Sequence, residues 1–122
     1  MSRKMVRLFV YGTLKRGFSA HELLTNQGAV LLREARTASQ YKLLSVGWFP
    51  GMVSDSEGQG VLGELYEVNE DVLSRLDRYE NTPHLFARES VELDDGSQAV
   101  AYLLASPRPE YETVPNGQWK NC

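Results

Sequence analysis

The fold is decided by the stretch at residues 5–17, which reads MVRLFVYGTLKRG. β-Branched and aromatic side chains fill its first part, which predicts a strand that Gly12 stops. A second glycine, Gly17, follows, and a turn of this kind exposes backbone N–H groups that can hold an anion. The glycine spacing is that of a phosphate loop, but Phe18-Ser19 stands where such a loop needs lysine and then serine or threonine. A weak anion site and a plain tight turn therefore both remain open.

Strand signals continue on the C-terminal side of this stretch. Runs rich in β-branched, leucine and aromatic residues predict further strands at residues 29–39, 41–46, 61–68, 86–93 and 98–105. The last two flank Asp94-Asp95-Gly96-Ser97, which is a strong hairpin signal. Gly47-Trp48-Phe49-Pro50-Gly51 interrupts the pattern, and Gly63 inside a strand indicates a bulge or a close backbone approach.

Two short helices are predicted between these strands. Ser19-Ala20-His21-Glu22 spells a capping box, so a helix should begin there, run through Asn26 and end near Gly28. Asn69 caps the second helix, which must stop before Pro83. Its apolar residues recur at helical spacing, at Val72, Leu73, Leu76 and Tyr79.

The length and the element pattern together predict the architecture. A chain of 122 residues suffices for one core, so we expect a single domain over residues 1–122. Many short strands with two helices predict an α+β fold, a small mixed β-barrel that closes most sheet edges and carries flanking helices. The proline-containing tail should be mostly irregular and packed by Trp119.

Composition excludes several classes of protein. Hydrophobic residues at 42% and charged residues at 24% are those of a globular chain. A net charge of −3 argues against a nucleic-acid binder. The single cysteine, Cys122, allows no internal disulfide, and there is no Cys/His cluster for a metal. No segment approaches the roughly 18 apolar residues of a membrane helix. We therefore expect a cytoplasmic protein, a monomer or a weak homodimer, that binds neither nucleic acid nor membrane.

Glu80 is the first candidate for chemistry. It follows Leu76 by one helical turn, which places it near the inward face of the second predicted helix, in its last turn. The negative end of the helix dipole disfavours a carboxylate there and raises its pKa. A carboxyl group with a raised pKa can take up and return a proton near neutral pH. The alternative is a solvated glutamate at a frayed helix end.

Glu64 and Tyr66 alternate with Leu65 on one predicted strand, so both face the same way. They line a polar cavity or they face water. We predict that this face lines the cavity that holds Glu80, where the two glutamates repel each other. Hydrogen bonds from Tyr11 or Tyr66 should then satisfy part of the carboxylate charge.

Four segments in order carry a resemblance to a known family. They are FVYGTLKRG at residues 9–17, WFPGMV at 48–53, GELYEV at 63–68 and LDRYE at 76–80, with Arg88 downstream. Together they resemble the γ-glutamylcyclotransferase-like family, which includes γ-glutamylamine cyclotransferases and plant AIG2-like proteins. The match in order and spacing runs from residue 6 to about residue 105. The resemblance implies a small β-barrel with helices against it, in agreement with the strand count.

The resemblance also implies a reaction. A γ-glutamyl compound closes on itself to 5-oxoproline and expels a free amine or amino acid. By resemblance, backbone groups of Tyr11-Gly12-Thr13-Leu14 hold the glutamyl end, and Glu80 is the catalytic acid and base. We expect Glu64, Tyr66 and Phe86 to complete the substrate site. The substrate's α-amine is the nucleophile, so the implied chemistry needs no Ser or Cys nucleophile, no metal and no organic cofactor.

A binding protein of the same fold is the alternative. Members of the family often carry a tyrosine shortly after the catalytic glutamate, where this chain has Phe86. If that hydroxyl contacts the substrate, the chain differs in activity or specificity. The alternative protein recognises a γ-glutamyl or other small carboxylate compound and does not catalyse.

Overall fold

The computed structural model of the chain describes residues 5–12, 14–16, 21–25, 28–82 and 84–119. Its strands are β1 (Met5–Val10), β2 (Val30–Arg36), β3 (Tyr41–Ser45), β4 (Pro50–Ser54), β5 (Leu62–Asn69), β6 (Phe86–Glu92), β7 (Gln98–Leu104) and β8 (Glu112–Thr113). Its helices are α1 (Glu22–Thr25), α2 (Glu70–Tyr79) and a 3₁₀ turn at Pro115–Gly117.

The strands form one mixed sheet in the order β2-β5-β1-β7-β4-β3-β8, with β6 paired to β7. The sheet curls into a half-barrel, which confirms the predicted α+β class. Strand β7 runs antiparallel to β6 along its whole length. The other edge of β7 is shared by two parallel neighbours, β1 at Val100 and β4 at Leu103. Because β1 and β4 share this edge, they separate from each other, and the candidate site lies where they do.

Helix α2 forms as its sequence predicts. The Asn69 side chain caps it by accepting a hydrogen bond from the Val72 N–H at 3.0 Å. The apolar face of the helix is buried against the sheet through Val72, Leu73 and Leu76. The helix ends at Glu80, whose N–H donates to the Leu76 carbonyl at 2.7 Å. This ending fixes the position of the Glu80 side chain relative to the core.

Several other local predictions are confirmed. The hairpin between β6 and β7 turns at Gly96, which has a φ of 86° and donates to the Leu93 carbonyl. Gly63 marks a close backbone approach, because a Cβ there would clash with the Val10 carbonyl. Trp119 packs the tail against the core. The predicted first helix is observed only as α1, and its predicted residues 19, 20 and 26 lie outside the described part of the chain.

Two strands were not predicted. The sequence pattern breaks at Gly47-Trp48-Phe49-Pro50-Gly51, yet Pro50 and Gly51 begin β4. Pro50 is tolerated as the first residue of a strand, and Gly51 lets Leu104 of β7 approach closely. Strand β8 forms in the tail only because β3 pairs with it at Leu44 and Ser45. Both β4 and β8 depend on pairing with a neighbouring strand and not on a local alternation of apolar and polar residues.

Within the described ranges, no helix is long and apolar enough to cross a membrane.

Candidate active site

A cavity of about 370 Å³ opens where β1 and β4 separate. That volume lies in the range of small-molecule sites. It is formed by the end of β1, the turn before β4, the end of α2 and the segment into β6. The described residues that line it are Phe9, Val10, Tyr11, Gly12, Leu14, Trp48, Phe49, Pro50, Tyr79, Glu80, Leu85, Phe86 and Tyr102. Glu80 is the one charged side chain in this set.

The glycine turn borders the cavity through Gly12 and Leu14. Gly12 is required by a close approach, because a Cβ there would lie 2.6 Å from Cγ of Pro50. The Lys15 N–H donates to the Gly12 carbonyl at 3.0 Å, which closes the turn. His21 Nδ1–H donates to the Leu14 carbonyl at 2.9 Å and holds the turn from the helix side. Thr13, also predicted to bind substrate, lies outside the described residues.

Tyr11 is buried and its ring lines the cavity, but its hydroxyl is used by the sheet. The hydroxyl donates to the Tyr102 carbonyl of β7 and accepts from the Met52 N–H of β4 at 3.2 Å. It therefore bridges two strands. Burial raises the pKa of Tyr11 well above its ordinary value, the Met52 N–H lowers it in part, and the charge of Glu80 raises it further. The predicted hydrogen bond from Tyr11 to a site carboxylate is not found.

The Glu80 carboxyl group is the reactive feature of the cavity. It stands at the C-terminal end of α2, and among the described residues it makes no hydrogen bond and no ion pair. Burial raises its pKa from 4.5 to about 7. The direction of the shift is the predicted one, and burial causes it, where the sequence analysis expected the helix dipole. Glu80 is thus divided between its acid and base forms near neutral pH.

A neighbouring carboxylate on the same helix is paired. The Tyr102 hydroxyl donates to Oδ1 of Asp77 at 2.7 Å, and Nη1 of Arg88 lies 3.6 Å from Oδ2. Burial is the main cause that raises the pKa of Tyr102, followed by its hydrogen bond to Asp77. Asp77 therefore binds both Arg88 and the Tyr102 hydroxyl beside the cavity. Glu80 is then the group in the cavity that can exchange a proton.

The predicted place of Glu64 and Tyr66 is wrong. Neither lines the cavity, and Glu64 has no part in the raised pKa of Glu80. The N–H of Arg16 donates to Oε1 of Glu64 at 3.0 Å, the guanidinium Nε of Arg16 lies 3.1 Å from Oε2, and the Tyr66 hydroxyl donates to Oε1 at 2.9 Å. The turn folds back over β5, so Arg16 reaches Glu64 across 48 residues of sequence.

This pairing sets the charge state of Glu64. Burial by itself would raise the pKa of Glu64, but the two hydrogen bonds from Arg16 and the one from Tyr66 bring it below its ordinary value. Glu64 therefore stays ionised at neutral pH. It ties the C-terminal end of the glycine turn to the sheet beneath it. The predicted hydrogen bond from Tyr66 to a carboxylate is confirmed, with Glu64 as the acceptor.

Comparison with known proteins identifies the family of the chain. A family model described as gamma-glutamyl cyclotransferase, AIG2-like, matches residues 8–121. The chain belongs to this family. Gamma-glutamylaminecyclotransferase A of Danio rerio is 33% identical over 122 aligned residues, which cover 90% of the chain and 76% of that protein. Gamma-L-glutamyl-butirosin B gamma-glutamyl cyclotransferase of Niallia circulans is 32% identical, over 95% of the chain and 76% of that protein.

A solved structure shares the fold. The AIG2-like protein of Mus musculus superposes with a TM-score of 0.83 at 28% identity, over 95% of the chain and 88% of that protein. This likeness supports the half-barrel description of the family fold. Among the described residues of this family member, no group of three or more His, Cys, Asp or Glu side chains is placed to hold a metal ion.

The remaining site residues divide into predicted and missed ones. Phe86 lines the cavity as expected and is buried, with its ring centroid 6.0 Å from that of Phe49. Trp48, Phe49 and Tyr102 also line the cavity of this family member, and none of them was predicted as a site residue. The interrupted strand pattern at residues 47–51 could have indicated that Trp48 and Phe49 belong to a site. Nothing in the sequence pattern distinguishes Tyr102 from an ordinary strand residue.

Proposed function

We propose that the chain converts a γ-glutamyl amine or γ-glutamyl amino acid into 5-oxoproline and a free amine or amino acid. In this proposal Glu80 is the general acid and base of a γ-glutamylcyclotransferase-type lyase or acyltransferase. The observation that carries it is the Glu80 carboxyl group, which borders the cavity without a partner among the described residues and has a pKa of about 7. A group with that pKa takes up and releases a proton readily at neutral pH.

The proposed reaction uses Glu80 twice. Ionised Glu80 accepts a proton from the substrate's α-amine, and the amine nitrogen attacks the γ-carbonyl carbon to form the five-membered ring. The protonated Glu80 then gives that proton to the leaving nitrogen as the old C–N bond breaks. One C–N bond forms and one breaks, and Glu80 returns to its starting state. Holding the substrate in a folded pose lowers the entropic cost of ring closure.

The glycine turn is the proposed holder of the glutamyl end. Gly12 and Leu14 border the cavity, so backbone N–H groups of this turn can approach the α-carboxylate or the developing oxyanion. Support for a fixed turn comes from Glu64 and His21, which bond to Arg16 and Leu14. Preorganised donors of this kind stabilise negative charge without reorganising during the reaction.

The names of the relatives support the substrate class. The Danio rerio protein is named for γ-glutamylamines, and the Niallia circulans protein for γ-L-glutamyl-butirosin B. Both names contain a γ-glutamyl group. We carry the shared γ-glutamyl part over to this chain.

The direct test is incubation of the purified chain with a panel of γ-glutamyl amines and γ-glutamyl amino acids, followed by mass spectrometry. We expect 5-oxoproline and the matching free amine in equal amounts. Free glutamate instead of 5-oxoproline would show hydrolysis and contradict ring closure. Tight binding of the panel with no product from any member would favour the non-catalytic binding protein.

A further inference from the structure

The exposed residues at the outer wall of the cavity indicate which leaving amine the site accepts. Most lining residues are buried, but Trp48, Tyr79 and Leu85 are exposed by 93%, 47% and 38%. These three therefore form the mouth of the cavity, which we call the apolar mouth. A tryptophan exposed to this extent leaves both faces of its indole open to a ligand.

The proposed reaction fixes where the leaving amine must lie. Its nitrogen has to reach Glu80, since Glu80 returns the proton to it. The glutamyl end occupies the inner part at Gly12 and Leu14, so the rest of the leaving amine extends outward past Trp48. The occupant of the apolar mouth is thus the group attached to the leaving nitrogen.

The charges around the cavity restrict that group further. Among the described lining residues there is no Lys, Arg or His. Two arginines outside this lining are paired with carboxylates, Arg16 with Glu64 and Arg88 with Asp77. Among the described lining residues, a carboxylate on the leaving group would meet no positive side chain, and it would lie near ionised Glu80. Such a carboxylate is costly to desolvate.

We infer that the preferred substrates are γ-glutamyl amides of ring-bearing amines that lack a carboxylate, and that Trp48 is the residue that selects the ring. This inference rests on the proposed function and adds the leaving-group class to it. Stacking of an aromatic ring on Trp48 accounts for the ring preference. The lack of a cation among the described lining residues accounts for the preference against a carboxylate.

Three synthetic substrates separate these two preferences. γ-Glutamyl-phenethylamide and γ-glutamyl-ethylamide differ only in the ring, whereas γ-glutamyl-phenethylamide and γ-glutamylphenylalanine differ only in the carboxylate. We expect kcat/KM for the phenethylamide to exceed that for the ethylamide by about 3- to 10-fold, the range of one aromatic contact. We expect at least about tenfold discrimination against γ-glutamylphenylalanine, the cost of leaving one charge unpaired.

Two variants test whether the ring preference is due to the Trp48 side chain. Trp48→Ala should bring the ring ratio close to one and leave the discrimination against the carboxylate in place. Leu32→Ala is the matched control, because Leu32 is also an exposed apolar residue, at 44%, and does not line the cavity. It should keep both ratios. Circular dichroism checks that each variant is folded.

The outcomes distinguish this inference from the proposed function. Equal turnover of all three compounds, or an unchanged ring ratio in Trp48→Ala, overturns the inference while ring closure stands. If Trp48→Ala instead lowers self-association in sedimentation and leaves the ratio unchanged, Trp48 belongs to an interface between copies. If the wild type forms no 5-oxoproline from any compound, the proposed function fails, and dissociation constants for the same three compounds then decide the ring and carboxylate preferences.

Discussion

Glu64 and Glu80 lie on β5 and at the end of α2, and their surroundings drive their pKa values in opposite directions. Both are affected by burial, which by itself raises the pKa of each. Glu64 receives hydrogen bonds from Arg16 and Tyr66, and its pKa falls below the ordinary value. Glu80 has no such partner among the described residues, and its pKa rises to about 7. Hydrogen-bond partners thus make one glutamate a fixed structural charge and leave the other able to exchange a proton.

The largest expected effect comes from removing the unpaired carboxylate. Glu80→Gln should lower kcat by about a thousandfold, within the 10²–10⁴ range of a general acid or base, because an amide cannot transfer the proton. Substrate binding should persist, since the shape of the cavity is retained. Single-turnover kinetics and calorimetric binding measure the two quantities. Glu89→Gln, at an exposed position of β6, is the control, and a Glu80→Gln variant with near-normal turnover would contradict the role of Glu80.

The pH dependence of the rate should follow Glu80 and not Glu64. A base with a pKa of about 7 is half ionised at pH 7 and about 1% ionised at pH 5, so kcat/KM should fall about 50-fold over this interval. Above about pH 7 the rate should level off, because the proton that Glu80 gives to the leaving amine is the one it has taken from the substrate. Stopped assays of 5-oxoproline across pH 4–10 give the profile. A profile that stays flat down to pH 5, with the chemical step limiting, would refute proton transfer by Glu80.

Removing the charge of the paired carboxylate, Glu64, should lower the stability of the fold and leave the pH profile of the reaction unchanged. Glu64→Gln weakens the contacts with Arg16 and Tyr66, and we expect the free energy of unfolding at pH 7 to fall by about 2 kcal/mol. Because the pKa of Glu64 is lowered in the folded state, its contribution is present above its ordinary pKa of 4.5 and is lost as pH falls through the folded value. Urea titrations at pH 7 and pH 3 measure both.

Glu67→Gln, on the same strand, is the control for Glu64→Gln because Glu67 makes no such network among the described contacts. The apparent pKa near 7 in the rate profile of Glu64→Gln should stay unchanged. A shift of that pKa by a full unit would mean that Glu64 acts on Glu80 directly, which the geometry argues against.

The smallest effect is expected in the stability of Glu80→Gln. A carboxyl group whose pKa is raised by folding destabilises the folded state as pH rises from 4.5 through about 7, because the unfolded chain releases the proton first. At pH 8 Glu80→Gln should therefore be more stable than the wild type by about 1–2 kcal/mol, which allows for partial exposure. The difference should vanish below about pH 4. Thermal unfolding at pH 8 and pH 4 tests the sign, and a variant less stable at pH 8 would contradict it.

Much of the inner site could be predicted from the sequence. The Asn69 cap and the apolar spacing through Leu76 define α2, and these local signals place Glu80 at its end on the inward side. The strand that stops at Gly12 likewise predicts the glycine turn. The partners of the Tyr11 hydroxyl and the pairing of Glu64 with Arg16 could not be predicted, because these contacts join residues 91 and 48 positions apart in sequence.

The sequence by itself determined the local elements, the family resemblance and the position of Glu80, since caps, helical spacing and glycine turns act over a few residues. Only the tertiary structure decided which glutamate is paired and which borders the cavity. The strand face that Glu64 shares with Tyr66 was predicted to line the cavity that holds Glu80, but the glycine turn brings Arg16 over Glu64 instead. The same holds for Trp48, whose place at the mouth depends on the separation of β1 and β4 along β7. Charge state follows from neighbours in space, and strand pairing sets those neighbours.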